Sequence, residues 1–172
     1  MIGLSKRLKT IAELCNGDTI ADIGCDHGRL GVWMLQNGLC KRVIAIDVSE
    51  KCIEKARRLA TFVGVSDQMD CRVGDGLNVL HPGEADSVVI SGMGGTSIQD
   101  ILRDRQDMLR SARVVLQPQT SKPELREWLG ENGFVVRDEK VVLDRRRYYD
   151  VWLVDCPCRL EDRSKWISMS IN

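Results

Sequence analysis

The hydrophobic pattern along the chain switches repeatedly between two periods. Leu4, Leu8, Ile11 and Cys15 recur at helical spacing and predict an amphipathic helix over residues 4–15, stopped by Asn16-Gly17. Short apolar runs predict strands from Thr19 to Ile23, Arg42 to Asp47, Met69 to Val73, Asp86 to Ser91 and Ala112 to Leu116. Helical patterns fill the gaps. One runs from Leu30 to Leu35, and a second carries Ile53, Ala56, Ala60 and Val63 between a Ser49 N-cap and Gly64. A third carries Ile98, Ile101, Leu102 and Leu109 behind a capping box of Thr96 and Gln99. A fourth carries Leu125, Trp128 and Leu129 behind a box of Ser121 and Glu124, with Pro123 in its first turn. Phe134 to Leu143 and Tyr148 to Val154 predict two last strands, joined so tightly that they must be antiparallel. Strands alternating with helices predict an α/β fold: a mostly parallel seven-stranded sheet closed by an antiparallel C-terminal hairpin. One domain is expected over residues 1–155, with a short polar tail at 156–172.

Composition adds exclusions. The 172 residues are 43% hydrophobic and 29% charged, as in ordinary globular proteins. No apolar run nears the roughly 18 residues of a membrane span, and MIGLSKRLKT is too polar for a signal peptide. A cytoplasmic protein with no membrane partner is expected. Lys plus Arg and Asp plus Glu both number 25, so any contact with nucleic acid must come from local patches. The seven cysteines form no CxxC pair and read as reduced, mostly structural thiols. Cys156 and Cys158, in a CPC run with no histidine nearby in sequence, are not expected to hold a metal.

The chemistry lies in the turns that follow the strands, where doubly wound sheets bind ligands. The first is ADIGCDHGRL, with Asp22, Gly24, Cys25, Asp26, His27 and Gly28. Its glycines suit close backbone approach, but Asp26 and Arg29 replace the second and third glycines of a dinucleotide loop. Asp26 opposite a pyrophosphate would cost several kcal/mol in a partly desolvated cleft, which argues against a nicotinamide dehydrogenase. It favours a cationic ligand such as S-adenosyl-L-methionine, whose ammonium Asp26 can pair. Asp47, followed by Val48, stands about 20 residues on, where a ribose-diol acceptor belongs. Asp75, between Gly74 and Gly76, is placed for the adenine amino group. The fourth turn, Ser91-Gly92-Met93-Gly94-Gly95, leaves room for a target base to approach the methyl group. His27 suits a base or a loop-orienting group, and Arg145-Arg146-Arg147 suits a solvated turn or an RNA-phosphate patch.

With its residues in this order, the chain resembles the bacterial TrmK family of tRNA adenine-N1 methyltransferases, which modify position 22 of tRNA. The resemblance rests on LSKRL at 4–8, ADIGCDHGRL, VGDGL at 73–77, ISGMGG at 90–95, LQPQ at 116–119, REWLGENGF at 126–134 and the hairpin with Tyr149. It implies a Rossmann-like class I methyltransferase fold, S-adenosyl-L-methionine as cofactor and tRNA as partner. Arg7, Gln117, Pro118, Gln119 and Arg145 to Arg147 become candidate RNA contacts. Two departures stand out. The family's LQPN ends here in Gln119, and its C-terminal helical domain is expected to be absent, since RLEDRSKWISMSIN shows no sustained heptads. The alternative within the same fold is a cofactor-binding protein without tRNA methylation activity of its own.

Overall fold

The computed structural model describes residues 2–103, 105–109 and 111–157. Seven strands, β1 (Thr19–Ile23), β2 (Arg42–Asp47), β3 (Met69–Val73), β4 (Ser87–Met93), β5 (Arg113–Pro118), β6 (Val135–Asp144) and β7 (Arg147–Asp155), form one sheet. Its order is β3-β2-β1-β4-β5-β7-β6. The first five strands are parallel, and β7 runs antiparallel to both β5 and β6. This is the expected Rossmann-like α/β methyltransferase architecture. Neighbouring β1 and β4 form the switch point, with their carboxyl ends opening on one edge of the sheet.

Local chemistry sets the helices. In α1 (Lys6–Leu14) the Ser5 hydroxyl accepts from the Leu8 N–H at 3.4 Å, and in α3 (Glu50–Val63) Ser49 does the same for Cys52 at 3.3 Å. Gly64 ends α3 at φ +78°. The other two caps differ from expectation. α4 (Gly95–Arg103) starts before Thr96, and Leu109 lies in a separate 3-10 turn, Gln106–Leu109. At α5 (Lys122–Glu131) Ser121 has φ +51° and its side chain does not cap. The β5–α5 loop turns toward α4 instead, where the Thr120 carbonyl accepts from the Gly95 N–H at 2.9 Å. That long-range bond replaces the local one.

Two apolar layers bury the sheet. α1, α2 (Arg29–Gln36) and α3 cover one face through Ile11, Leu30, Met34 and Ile53. α4 and α5 cover the other through Ile98, Leu102, Leu125 and Leu129. Ile20, Ile23, Ile44 and Ile46 are each at most 1% exposed, and burying such a side chain stabilises by about 1.5–3 kcal/mol. At the open edge Arg72 bonds Glu84, Asp70 and the Val79 carbonyl. That network pulls the Glu84 carboxyl down to about 2, chiefly through the Arg72 hydrogen bond. Among the described residues no helix is long and apolar enough to cross a membrane. No group of side chains there suits a metal ion, and Cys158 of the CPC run lies outside them.

Candidate active site

The loop after β1 is pinned by its neighbour strand: the N–H groups of Gly24 and Cys25 both donate to the Ile46 carbonyl, at 2.8 and 3.0 Å. Gly24 takes φ +70°. Asp22, Gly24, Asp26 and His27 line a cleft of about 430 Å³ with Arg7 and Gln119. Asp22 is the unusual member. It is 3% exposed and faces this cleft. Burial, then the charges of Asp47 and Asp26, raise its pKa to about 7. Asp26 is mostly solvent-exposed, 3.4 Å from the His27 ring, and its own N–H donates to Asp47 at 3.0 Å. The Lys55 ammonium stands 3.0 Å from the same His27 nitrogen. Cys25 is buried and its thiol is pushed far up by desolvation, so it is no nucleophile.

Gly28 stands beside the clefts rather than among their lining residues. It caps α2 at φ +67°, and a Cβ there would meet Met69 Cε at 2.7 Å and Ala56 Cβ at 2.8 Å. Its task is close packing of the loop against α3.

A second cleft of about 710 Å³ adjoins the first, and both share Gly24, Ser91 and Gly92. Each falls within the roughly 300–1,000 Å³ usual for small-molecule sites. Asp47, Val48, Gly74, Asp75 and Gly76 line the larger one, bringing together the turns after β2 and β3. The Asp47 carboxylate is held by the N–H groups of Asp26 and Ser49 at 3.0 and 2.9 Å, which fixes its outward lone pairs. Val48, 68% exposed, lines this cleft together with the apolar Leu77 and Ile101. Sequence reasoning missed Leu77 and Ile101, because each also fits the spacing of an ordinary core residue.

The turn after β4 divides its duties. Gly92, at φ +75°, produces a shift in the β4–β5 register, and a Cβ there would meet only Arg7 Nη1 at 3.8 Å. Gly94 and Gly95 face the β5–α5 loop instead, where a Cβ would lie 2.9 Å from Thr120 Oγ1 and 2.5 Å from the Ser121 carbonyl respectively. Both positions demand glycine for close packing of the two loops. The Met93 side chain lies across Gly24 on the cleft floor.

Arg7 reaches this point from α1. Its Nη1 donates to Gln117 Oε1 at 2.9 Å, and its guanidinium lies 5.1 Å over the Tyr149 ring. Gln119 donates to the same Gln117 oxygen at 3.1 Å. Gln117 and Pro118 are themselves buried, because β5 runs two residues past its predicted end. They lie beneath Arg7 and Gln119, and of the three Gln119 alone is exposed. Arg145, Arg146 and Arg147 are exposed at the β6–β7 turn. Beside them, Asp144 accepts from the Arg7 backbone N–H at 3.2 Å.

Comparison with known proteins follows the same lines. Residues 4–152 match the family described as "Methyltransferase domain". The chain belongs to this methyltransferase family. Within the family it is similar to the tRNA (adenine(22)-N(1))-methyltransferase of Bacillus subtilis (strain 168), with 36% identity over 154 residues. That match covers 88% of this chain and 65% of the relative, so the chain spans about two-thirds of that protein. The solved structure of the B. subtilis M1A22 tRNA methyltransferase TrmK superposes with TM-score 0.85 and 34% identity, over 92% of this chain and 69% of that one. A putative tRNA (m1A22) methyltransferase of Streptococcus pneumoniae in complex with S-adenosyl-L-methionine gives TM-score 0.83 and 28% identity, over 91% and 73%. As a methyltransferase-family site, the two joined clefts are both lined by carboxylates, and the larger also carries the apolar Val48, Leu77 and Ile101.

Proposed function

We propose that this chain transfers the methyl group of S-adenosyl-L-methionine to N1 of an adenine in tRNA, at position 22 by analogy with its relatives. The single observation that carries the cofactor reading is Asp22: a carboxyl only 3% exposed, facing a cleft that Asp26 also lines, calls for a cationic ligand. The cofactor's ammonium answers that demand beside Asp22 and Asp26, and Arg7 is in reach of its carboxylate. In the larger cleft Asp47 takes the ribose diol, Asp75 the adenine amino group, and Val48 with Leu77 and Ile101 the ring faces. The sulfonium then falls at the residues common to both arms, Gly24, Ser91 and Gly92.

The acceptor chemistry suits this layout. Adenine N1 has an in-plane lone pair, so it attacks the methyl carbon without a general base, and the C–S electrons leave on sulfur. No proton is lost and the product base is cationic. Catalysis then consists of aligning N1, carbon and sulfur and excluding water. The open space over Gly92 admits the base edge, and Gln119 stands at its rim. Because N1 lies on the pairing edge, the adenine must be unpaired or flipped. A tRNA substrate also places the protein in the cytoplasm.

Nucleoside mass spectrometry of unmodified tRNA incubated with protein and methyl-labelled cofactor tests the proposal. Labelled 1-methyladenosine is expected. Tight binding of S-adenosylhomocysteine with no label in any tRNA would refute the transfer reading while leaving the cofactor site standing.

A further inference from the structure

The β6–β7 hairpin continues past its ladder with β5. Its ladder with β5 ends at the pair Leu116 and Trp152, whereas β6 and β7 stay paired up to Asp144 and Arg147. Five residues of β7 therefore project beyond the last β5 pair, about 16 Å of strand. They project from the edge where the carboxyl ends of the parallel strands open. One face of the projection rests on α1 through Tyr149 and Val142. The opposite face is covered by α5 only as far as Asp150, which pairs with Lys122. Beyond that point Leu143 and Tyr148, directly across the ladder from each other, are 48% and 71% exposed.

The tip itself is built against local preference. Arg145 and Arg146 have φ +46° and +66°, the left-handed pair of a two-residue hairpin turn that Asn-Gly fills best. Arginine at both positions works against the turn. None of the three tip arginines makes an ion pair among the described residues. The neighbouring carboxylate, Asp144, is held by the Ser5 side chain and the Arg7 N–H, with Arg145 adding a more distant attraction. The chain thus keeps unneutralised guanidinium groups at a costly turn, next to an exposed tyrosine, on the hairpin whose Asp144 accepts from the N–H of the cleft-lining Arg7.

We infer that the hairpin tip is an RNA-docking element, with Arg145, Arg146 and Arg147 on phosphates and Tyr148 stacked on an unpaired base beside the target adenine. The inference rests on the tRNA methyltransferase reading above and adds the surface that presents the substrate. RNA is favoured over a protein partner because the patch pairs concentrated positive charge with a free aromatic face, in a chain of zero net charge.

Strain and function make opposite demands on this turn, and that gives the test. The double variant Arg145→Asn with Arg146→Gly relaxes the turn while removing two charges. It is expected to melt no lower than wild type and to bind S-adenosylhomocysteine equally well. Its tRNA affinity at about 0.1 M salt should fall about tenfold or more, and its log–log salt slope should become shallower by about 1.5. Tyr148→Ala should weaken tRNA binding about tenfold, with Tyr148→Phe restoring it. Wild-type protein that methylates tRNA, with both the double variant and Tyr148→Ala binding tRNA normally, would overturn this inference alone. Wild-type protein that binds the cofactor but neither binds nor methylates tRNA would overturn the functional reading and this one with it. A wild-type dimer that Tyr148→Ala dissociates, with tRNA binding unchanged, would assign the patch to self-association and also overturn it.

Discussion

Replacing Asp22 with Asn should stabilise the empty protein and impair cofactor binding, with both effects depending on pH. The carboxyl is 3% exposed, and its pKa stands near 7 against an ordinary 3.8. A carboxyl whose folded-state pKa is raised favours folding fully below pH 4. That contribution is lost progressively as pH rises to 7 and is constant above. The full loss corresponds to roughly 4 kcal/mol at 1.36 kcal/mol per pKa unit. A buried amide carries its own desolvation cost of about 1–3 kcal/mol, so about 1–3 kcal/mol of net gain is expected for Asp22→Asn at pH 8. At about 2–4 °C per kcal/mol for a chain of this size, the melting temperature should rise several degrees. Near pH 4, where the wild-type carboxyl is protonated, the difference should reverse to a net loss of about 1–3 kcal/mol, the amide's own cost. Thermal melts of both proteins across pH 4–8 measure it, and the difference between the two curves cancels the titrations they share. Calorimetry with S-adenosylhomocysteine supplies the other half. Wild-type affinity should rise with pH up to about 7, since the ligand's ammonium favours ionised Asp22, and Asp22→Asn should bind weakly without that slope. A variant whose stability difference is flat across this range, or which binds the ligand as tightly as wild type, would refute the reasoning.

Three further outcomes follow from other contacts. Glu84→Gln should cost about 2–3 kcal/mol in a denaturant titration at pH 7, because the Glu84 carboxylate is held near pKa 2 by Arg72. That contribution is present above the ordinary pKa of 4.5 and is lost as pH falls toward 2, so the two proteins should converge in acid. Gly28→Ala should destabilise by about 1–3 kcal/mol and lower the denaturation midpoint. Its Cβ would run into Met69 and Ala56 while the backbone stays at φ +67°. Arg7→Ala should weaken S-adenosylhomocysteine binding about tenfold in calorimetry with little loss of fold, since Arg7 lines the cleft and its main structural partners are Gln117 and Tyr149.

Local pattern was enough for the strands, their order of appearance and the chemistry of each strand-end turn. Apolar runs alternating with helical stripes restrict a chain this short to a wound sheet, and a carboxylate at the second glycine place of the first loop selects the charge of its ligand. Family resemblance pointed to the acceptor. Caps were less legible. Ser5 and Ser49 act locally and read correctly, whereas Ser121 yields to a long-range bond between Gly95 and Thr120.

Tertiary structure decided which of the candidate residues share a surface. Asp22 and Asp26 lie four residues apart with similar sequence credentials, yet one is buried at the end of β1 and the other stands largely in solvent. Gly92 opens on the cleft while Gly94 and Gly95, in the same motif, abut the β5–α5 loop. Gln117 sinks beneath Arg7, and the arginine turn rises beside the cleft on a hairpin longer than its neighbours. The reason is physical. Periodicity and turn propensity act over a few residues, and the sequence carries them openly. Burial, desolvation and charge proximity depend on segments up to about 140 residues apart, as between Arg7 and Asp144, and only the packed sheet brings those together.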